Sequence, residues 1–171
     1  DPLHGLREFA AASLFKIGWL PANRADRVAA ALATRNYVDC IKLGADTVPG
    51  LIELLDVSDG GDLDDVIQVL GKIGDRRALL PLIGVVFSND PFRATETAND
   101  VLSQFEPDSM KLIDMALTSE DVQIRNQVAL KLVKNGSIED ESTEIAQRFS
   151  PLVKDILLDI LRHGLPDQQA E

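Results

Sequence analysis

One short pattern recurs along the chain, and it restricts the fold more than any other feature. Residues 66–74 read Val-Ile-Gln-Val-Leu-Gly-Lys-Ile-Gly, which is two apolar residues, a spacer, a third apolar residue, Leu, then small-Lys-Ile-Gly. Residues 10–18 and 128–136 share that frame, and residues 156–164 carry a weaker copy. The aligned apolar positions are Leu14, Leu70, Leu102, Leu132 and Ile160, separated by 56, 32, 30 and 28 residues. Self-similarity at about thirty residues marks a stack of helix pairs, each too small to bury its apolar face alone. The first gap is nearly two periods long, so the unit at about 19–47 is predicted to be irregular, with an extra short helix.

The palette agrees with an all-α chain. Of the 171 residues 45% are hydrophobic but only 5% aromatic, so a core must come from Leu, Ile, Val and Ala, which pack helices well. No segment alternates apolar and polar residues over a useful length, so strands are not expected. Start and stop signals divide the chain into eleven expected helices: 3–19, 23–33, 35–43, 47–57, 63–73, 76–88, 91–105, 108–118, 121–134, 139–149 and 151–163. Asp90-Pro91 and Ser150-Pro151 read as N-caps followed by a first-turn Pro. Gly74-Asp75 and Gly136-Ser137 read as a helix stop followed by a cap, with Asp140 an acidic first-turn residue. Pro81 falls inside an expected helix, where it would bend the axis. From residue 47 the helices are expected to pair as 47–57 with 63–73, 76–88 with 91–105, 108–118 with 121–134, and 139–149 with 151–163. With no hydrophobic break, residues 1–171 are read as a single domain.

Val69 to Ile83, with Leu-Gly-Lys-Ile-Gly-Asp leading into Arg-Ala and then Pro-Leu-Ile, resembles the HEAT-like repeat named after the phycobilisome lyases. Residues 43–55 look like an A helix of that family, and the stretch from Lys16 to Gly44 resembles a variant unit found in it. The resemblance covers nearly the whole chain and weakens after Ser137. It implies a right-handed α-α superhelix, a HEAT/armadillo-like solenoid of stacked antiparallel helix pairs. Many such repeats carry an Arg early in the B helix that ties neighbouring units. Arg7 and Arg125 match that position, while Leu63 and Thr95 break the series and Arg93 is offset. The chain begins at Asp1 without Met and runs almost at once into a repeat helix, which predicts a fragment of a longer array or a processed product.

Charge and residue inventory narrow the function. Lys and Arg total 17 against 28 Asp and Glu, a formal net charge of -11, with no basic run. That disfavours nucleic acid, whose phosphates need a basic face, and likewise an anionic membrane surface. No apolar run is long enough to span a bilayer, and no signal-peptide pattern is present. Cys40 is the one cysteine, so no intrachain disulfide forms, and a cytoplasmic location fits this composition. As a nucleophile Cys40 would need a His base, and His4 and His163 lie near opposite ends. Each is followed by Gly rather than Glu, unlike the iron-binding pairs of HEAT-repeat hydroxylases, and one Trp and one Tyr are too few for a HEAT-like DNA glycosylase groove. The acidic stretch from Asp56 to Asp65 lacks the EF-hand ligand pattern and reads as a solvated inter-helix loop. No catalytic, cofactor or metal residue is therefore assigned.

What remains is a surface. The expectation is a non-enzymatic scaffold or adaptor that binds another protein or peptide; the alternative, implied by the resemblance alone, is a lyase-like role in attaching a bilin (tetrapyrrole) chromophore. B helices normally line the inner face of such a solenoid, so Gln68, Lys72, Asp100, Gln104, Leu130, Lys131 and Lys134 are the candidate contacts. Trp19 and Tyr37, in the irregular unit, are either fillers of its wider gap or partner anchors.

Overall fold

The computed structural model describes residues 2–58, 60–88 and 94–164, and these are helical with no strand among them. Ten α-helices follow in order: α1 (Pro2–Lys16), α2 (Arg24–Ala33), α3 (Tyr37–Leu43), α4 (Val48–Val57), α5 (Gly60–Ile73), α6 (Leu79–Phe87), α7 (Thr95–Phe105), α8 (Ser109–Leu117), α9 (Val122–Lys134) and α10 (Glu144–His163). Tight 3-10 turns at Gly44–Asp46 and Arg76–Ala78 precede α4 and α6. The chain divides into two compact units, residues 1–78 and residues 79–171.

Helix starts are set by side chains that take up free first-turn N–H groups. Asn23 accepts from Asp26 N before α2, Asn36 from Asp39 N before α3, and Asp121 from Gln123 N and Ile124 N before α9. Gly74 and Gly136 stop α5 and the region after α9 as expected, at φ of 73° and 69°, a left-handed conformation that costs glycine little.

In the first unit, α4 packs on α5, α3 joins α2 to α5, and α1 rests mainly on α2. The centre is Val48, Leu51, Leu55, Leu63, Ile67 and Leu70, each nearly or wholly enclosed. Thr47 is fully buried beside them; its hydroxyl lies 2.8 Å from Gly44 O and 3.1 Å from Cys40 O, carbonyls at the α3 end that it satisfies by donation. Arg77 adds a second tie. It donates to Asp75 Oδ2 and to Ala45 O, both at 2.7 Å, linking the end of α5 to the turn before α4.

In the second unit, α6 is the hub, packed by α7, α8 and α9, with α10 laid on α8 and α9. Arg148 of α10 pairs with Asp114 of α8 at 3.6 Å, and Phe149 beside it is buried. Within each of the expected pairs α4/α5, α6/α7 and α8/α9 the two helices pack on each other.

The last pair does not form. Residues 139–149 and 151–163 were expected as two helices, yet α10 runs unbroken through Pro151, and its cap is Thr143, which accepts from Ala146 N. Neither Ser150 nor Ser137 caps a helix, and Asp140 instead holds its own loop by accepting from Ser142 N at 3.0 Å. The reason is a continuous stripe: Ala146, Phe149, Val153 and Ile156 are buried on one face, while Pro151 is exposed on the other. Packing of that face outweighs the missing ladder bond. Pro81 also differs from expectation. The turn at 76–78 delays α6 to Leu79, so Pro81 is its third residue, where no intrahelical N–H bond is lost. The Asp90-Pro91 cap lies outside the described residues.

Candidate functional site

The first unit contains a groove because α2 is made largely of alanine. Its sequence from Arg24 is Arg-Ala-Asp-Arg-Val-Ala-Ala-Ala-Leu-Ala, and Ala25, Ala29, Ala30 and Ala33 form the floor. Small side chains leave space that larger ones would fill. One wall is α1, through Ala10, Ala11 and Leu14; the opposite wall is α4, through Gly50, Leu54 and Val57. The cavity volume is about 920 Å³. Leu32 of α2 closes the floor against α4: a Cβ added at Gly50 would sit 2.3 Å from Leu32 Cδ1, so any larger residue there would push the end of the Leu32 side chain aside.

The groove is apolar inside and ion-paired at its rim. Arg7 of α1 pairs with Glu53 of α4 at 3.6 Å, with both side chains more than half exposed. Arg24 pairs with Asp46 and donates to Leu43 O at 2.9 Å. Trp19 stands at the α1 side, its ring 5.8 Å from that of Phe15 and tilted by 51°. A smaller groove of about 570 Å³ lies on the other side of α2, between Phe15, Leu20 and Pro21 and the residues Thr34, Asp39 and Lys42. Ala30 borders both, so α2 is a thin partition.

Of the candidate contacts named from sequence, Trp19 lines the larger groove and the others stand elsewhere. Tyr37 is half-buried and donates to Asp62 Oδ1 at 3.2 Å; burial raises its phenol above the usual range. Arg35, which adopts a positive φ of 51°, pairs with the same carboxylate. Together they fasten the α2–α3 turn to α5. Gln68 and Lys72 are exposed on α5. Asp100 and Gln104 are exposed one turn apart on α7, where Gln104 Nε2 donates to Asp100 O at 3.2 Å. Lys134 is exposed on α9 and Leu130 is 36% exposed. Lys131 is half-buried and donates to Ser88 O at 3.1 Å, closing the end of α6. Both α7 and α9 pack on α6, so the Asp100–Gln104 pair and the Leu130–Lys134 group sit on separate helices of that hub.

Arg125 donates to Ser119 O at 3.0 Å, within the α8–α9 connection. Cys40 is fully enclosed, and burial, reinforced by Asp39, pushes its thiol up to about 11. A thiol in that state stays protonated near neutrality. Among the described residues no group of three or more His, Cys, Asp and Glu is placed to hold a metal ion, and no helix is long and apolar enough to cross a membrane.

The groove itself was not read from the sequence. Alanine is the best helix former, so the run at residues 29–31 registers as helix and nothing more. The usable signal was size: a helix of alanines between Leu-rich neighbours cannot fill the space they define. The chain matches no model of a known protein family, and comparison with curated proteins finds no match.

Proposed function

We propose that the chain is a non-enzymatic protein-interaction module of HEAT-like repeats, a solenoid scaffold or adaptor acting in the cytoplasm, and that its groove in residues 1–78 receives a helix from the protein it binds. The observation that carries this reading is the groove: alanine-floored, walled by α1 and α4, and about 920 Å³ in volume. A helix is a cylinder about 10 Å across rising 1.5 Å per residue, so this space takes roughly eight residues, or two turns. Helix-in-groove recognition uses apolar anchors at spacings of three and four, which suits an apolar floor. Arg7 and Glu53 pair from the α1 wall to the α4 wall, so an entering helix parts this exposed pair, while Arg24 pairs with Asp46 and Asp26 accepts from Asn23.

Trp19 is the sole tryptophan and lies on the groove wall, which makes its emission the direct test. Titration with helical peptides carrying Leu or Phe at i, i+3, i+4 and i+7 should shift that emission to shorter wavelength. Ala29→Phe, which fills the floor, should abolish the shift. If no member of a displayed helix library moves the Trp19 emission, or if binding survives Ala29→Phe, the reading fails. A change in bilin absorbance on mixing with the chain would favour chromophore attachment instead.

A further inference from the structure

We propose that the helix received by the groove is α1 of a second copy of this chain, so that two copies join about a two-fold axis with each α1 lying along the groove of the other; the inference rests on the helix-in-groove reading above.

Three observations lead there. The first is the other side of α1. Ala10, Ala11 and Leu14 face the groove, and at 100° per residue Leu6 and Phe9 fall on the neighbouring strip of the same helix, with Ile17 just past its end. These three are 63%, 73% and 80% exposed. Among the described residues, seven of the eleven exposed large hydrophobics lie between residues 6 and 38. Exposed apolar side chains concentrated in one stretch of the chain point to an interaction site.

The second is self-complementarity. The groove requires an apolar helix, and α1 presents an apolar strip directly beside that groove. One patch that is both receptor and ligand is what an isologous contact needs: Leu6 and Phe9 of one copy enter between α1 and α4 of the other, and the reverse holds at the same time.

The third is charge. Each copy carries a formal net charge of -11, so two copies repel unless they meet where the acid is sparse. Residues 1–58, which hold α1, α2 and α4, contain six Lys and Arg against seven Asp and Glu; residues 59–171 contain eleven against twenty-one. The groove and the exposed strip therefore lie in the near-neutral stretch of an acidic chain. The groove's own charges nearly balance, Arg7 and Arg24 against Asp26, Asp46 and Glu53, so a strongly basic partner would find little net acid here.

Sedimentation equilibrium of the full chain over about 1–100 µM, a range that reveals dimers of ordinary interface size, is the test. The expected result is a dimer. Phe9→Glu should raise the dissociation constant about 100-fold or more, as loss of an aromatic anchor does. Ala29→Phe should weaken the dimer from the opposite side of the contact. Phe9 is 73% exposed, so its replacement should leave the circular dichroism of the monomer unchanged. A chain that stays monomeric throughout, or a dimer indifferent to both variants, overturns the proposal. The two failures separate by the Trp19 readout. If the chain is monomeric and yet Trp19 responds to other helical peptides, self-association falls and the groove remains a docking site. If Trp19 is also silent, both fall.

Discussion

Two helices that both carry large apolar side chains meet opposite fates in this protein. α6, Leu-Leu-Pro-Leu-Ile-Gly-Val-Val-Phe, has none of its nine residues exposed, because α7, α8 and α9 all pack on it. α1 carries Leu6, Phe9, Leu14 and Phe15, yet from residue 5 to its end only Ala11 is buried. Its main neighbour is α2, which offers alanine where the neighbours of α6 offer Leu, Ile and Val. Hydrophobic stabilisation follows area removed from water, and that area depends on what a neighbour can cover. α6 therefore acts as core and α1 as surface.

The sharpest way to break this comparison is to truncate one side chain from each. Leu82→Ala removes a wholly enclosed side chain from α6 and should cost about 2–5 kcal/mol. Phe9→Ala, in dilute monomer, should stay within about 0.5 kcal/mol. Urea denaturation checks both, with Cys40 labelling as a probe confined to the first unit: a fully buried thiol held near 11 reacts only when that unit opens. Equal costs would show that α1 is core after all.

A change in the opposite direction is expected in α10. Pro151 is exposed, so its ring contributes little packing, but it deprives Gln147 O of a ladder donor. Pro151→Ala restores that bond and should stabilise the second unit by about 1–3 kcal/mol. A loss of stability would mean that the bend at Pro151 is needed to seat Phe149 and Val153. This residue also shows where sequence reasoning stops. Gly74 and the capping Asn23, Asn36 and Asp121 act within a few residues, so the ends they set were legible. Ser150-Pro151 is an equally good local signal, but a buried stripe spanning it on both sides decided the outcome. The groove was less legible still. It is a space, and it depends on three helices brought together from residues 10 to 57. Trp19 was found because it is the one large aromatic of its kind; Ala29 and Gly50 carry at most a methyl group.

Between these extremes stands Thr47, the fully buried polar residue that seals the α3 end. Thr47→Val keeps the shape and removes the donor, leaving Gly44 O and Cys40 O without it. Each carbonyl keeps a backbone donor, Gly44 N for Cys40 O and Thr47 N for Gly44 O, so the expected cost is only the net worth of the hydroxyl's bond, about 0.5–1.5 kcal/mol. The first unit, with its incompletely filled groove, should feel this as earlier Cys40 labelling. If labelling of Cys40 does not change, the backbone donors to the two carbonyls suffice and the seal is not the Thr47 hydroxyl.

The smallest effect concerns acid. Asp75 accepts from Arg77 N at 2.9 Å and from Arg77 Nε at 3.0 Å, and these bonds hold its carboxyl down to about 2, against an ordinary 3.8. The pair does more than hold itself, because Arg77 also donates to Ala45 O and so joins the end of α5 to the turn before α4. A carboxylate whose folded pKa lies below its unfolded one stabilises the fold above the unfolded value. That contribution is complete above about pH 4 and fades as the pH falls toward 2. Asp75→Asn should therefore lower the stability of the first unit near neutrality and flatten its decline between about pH 4 and 2. Asp140 in the second unit is also held below its ordinary value, through Ser142, but its bonds stay within one loop. Asp140→Asn should leave α10, which it precedes, almost untouched. Equal flattening by the two variants would show that the bridge to Ala45 adds nothing, and that both acids act only on their own turns.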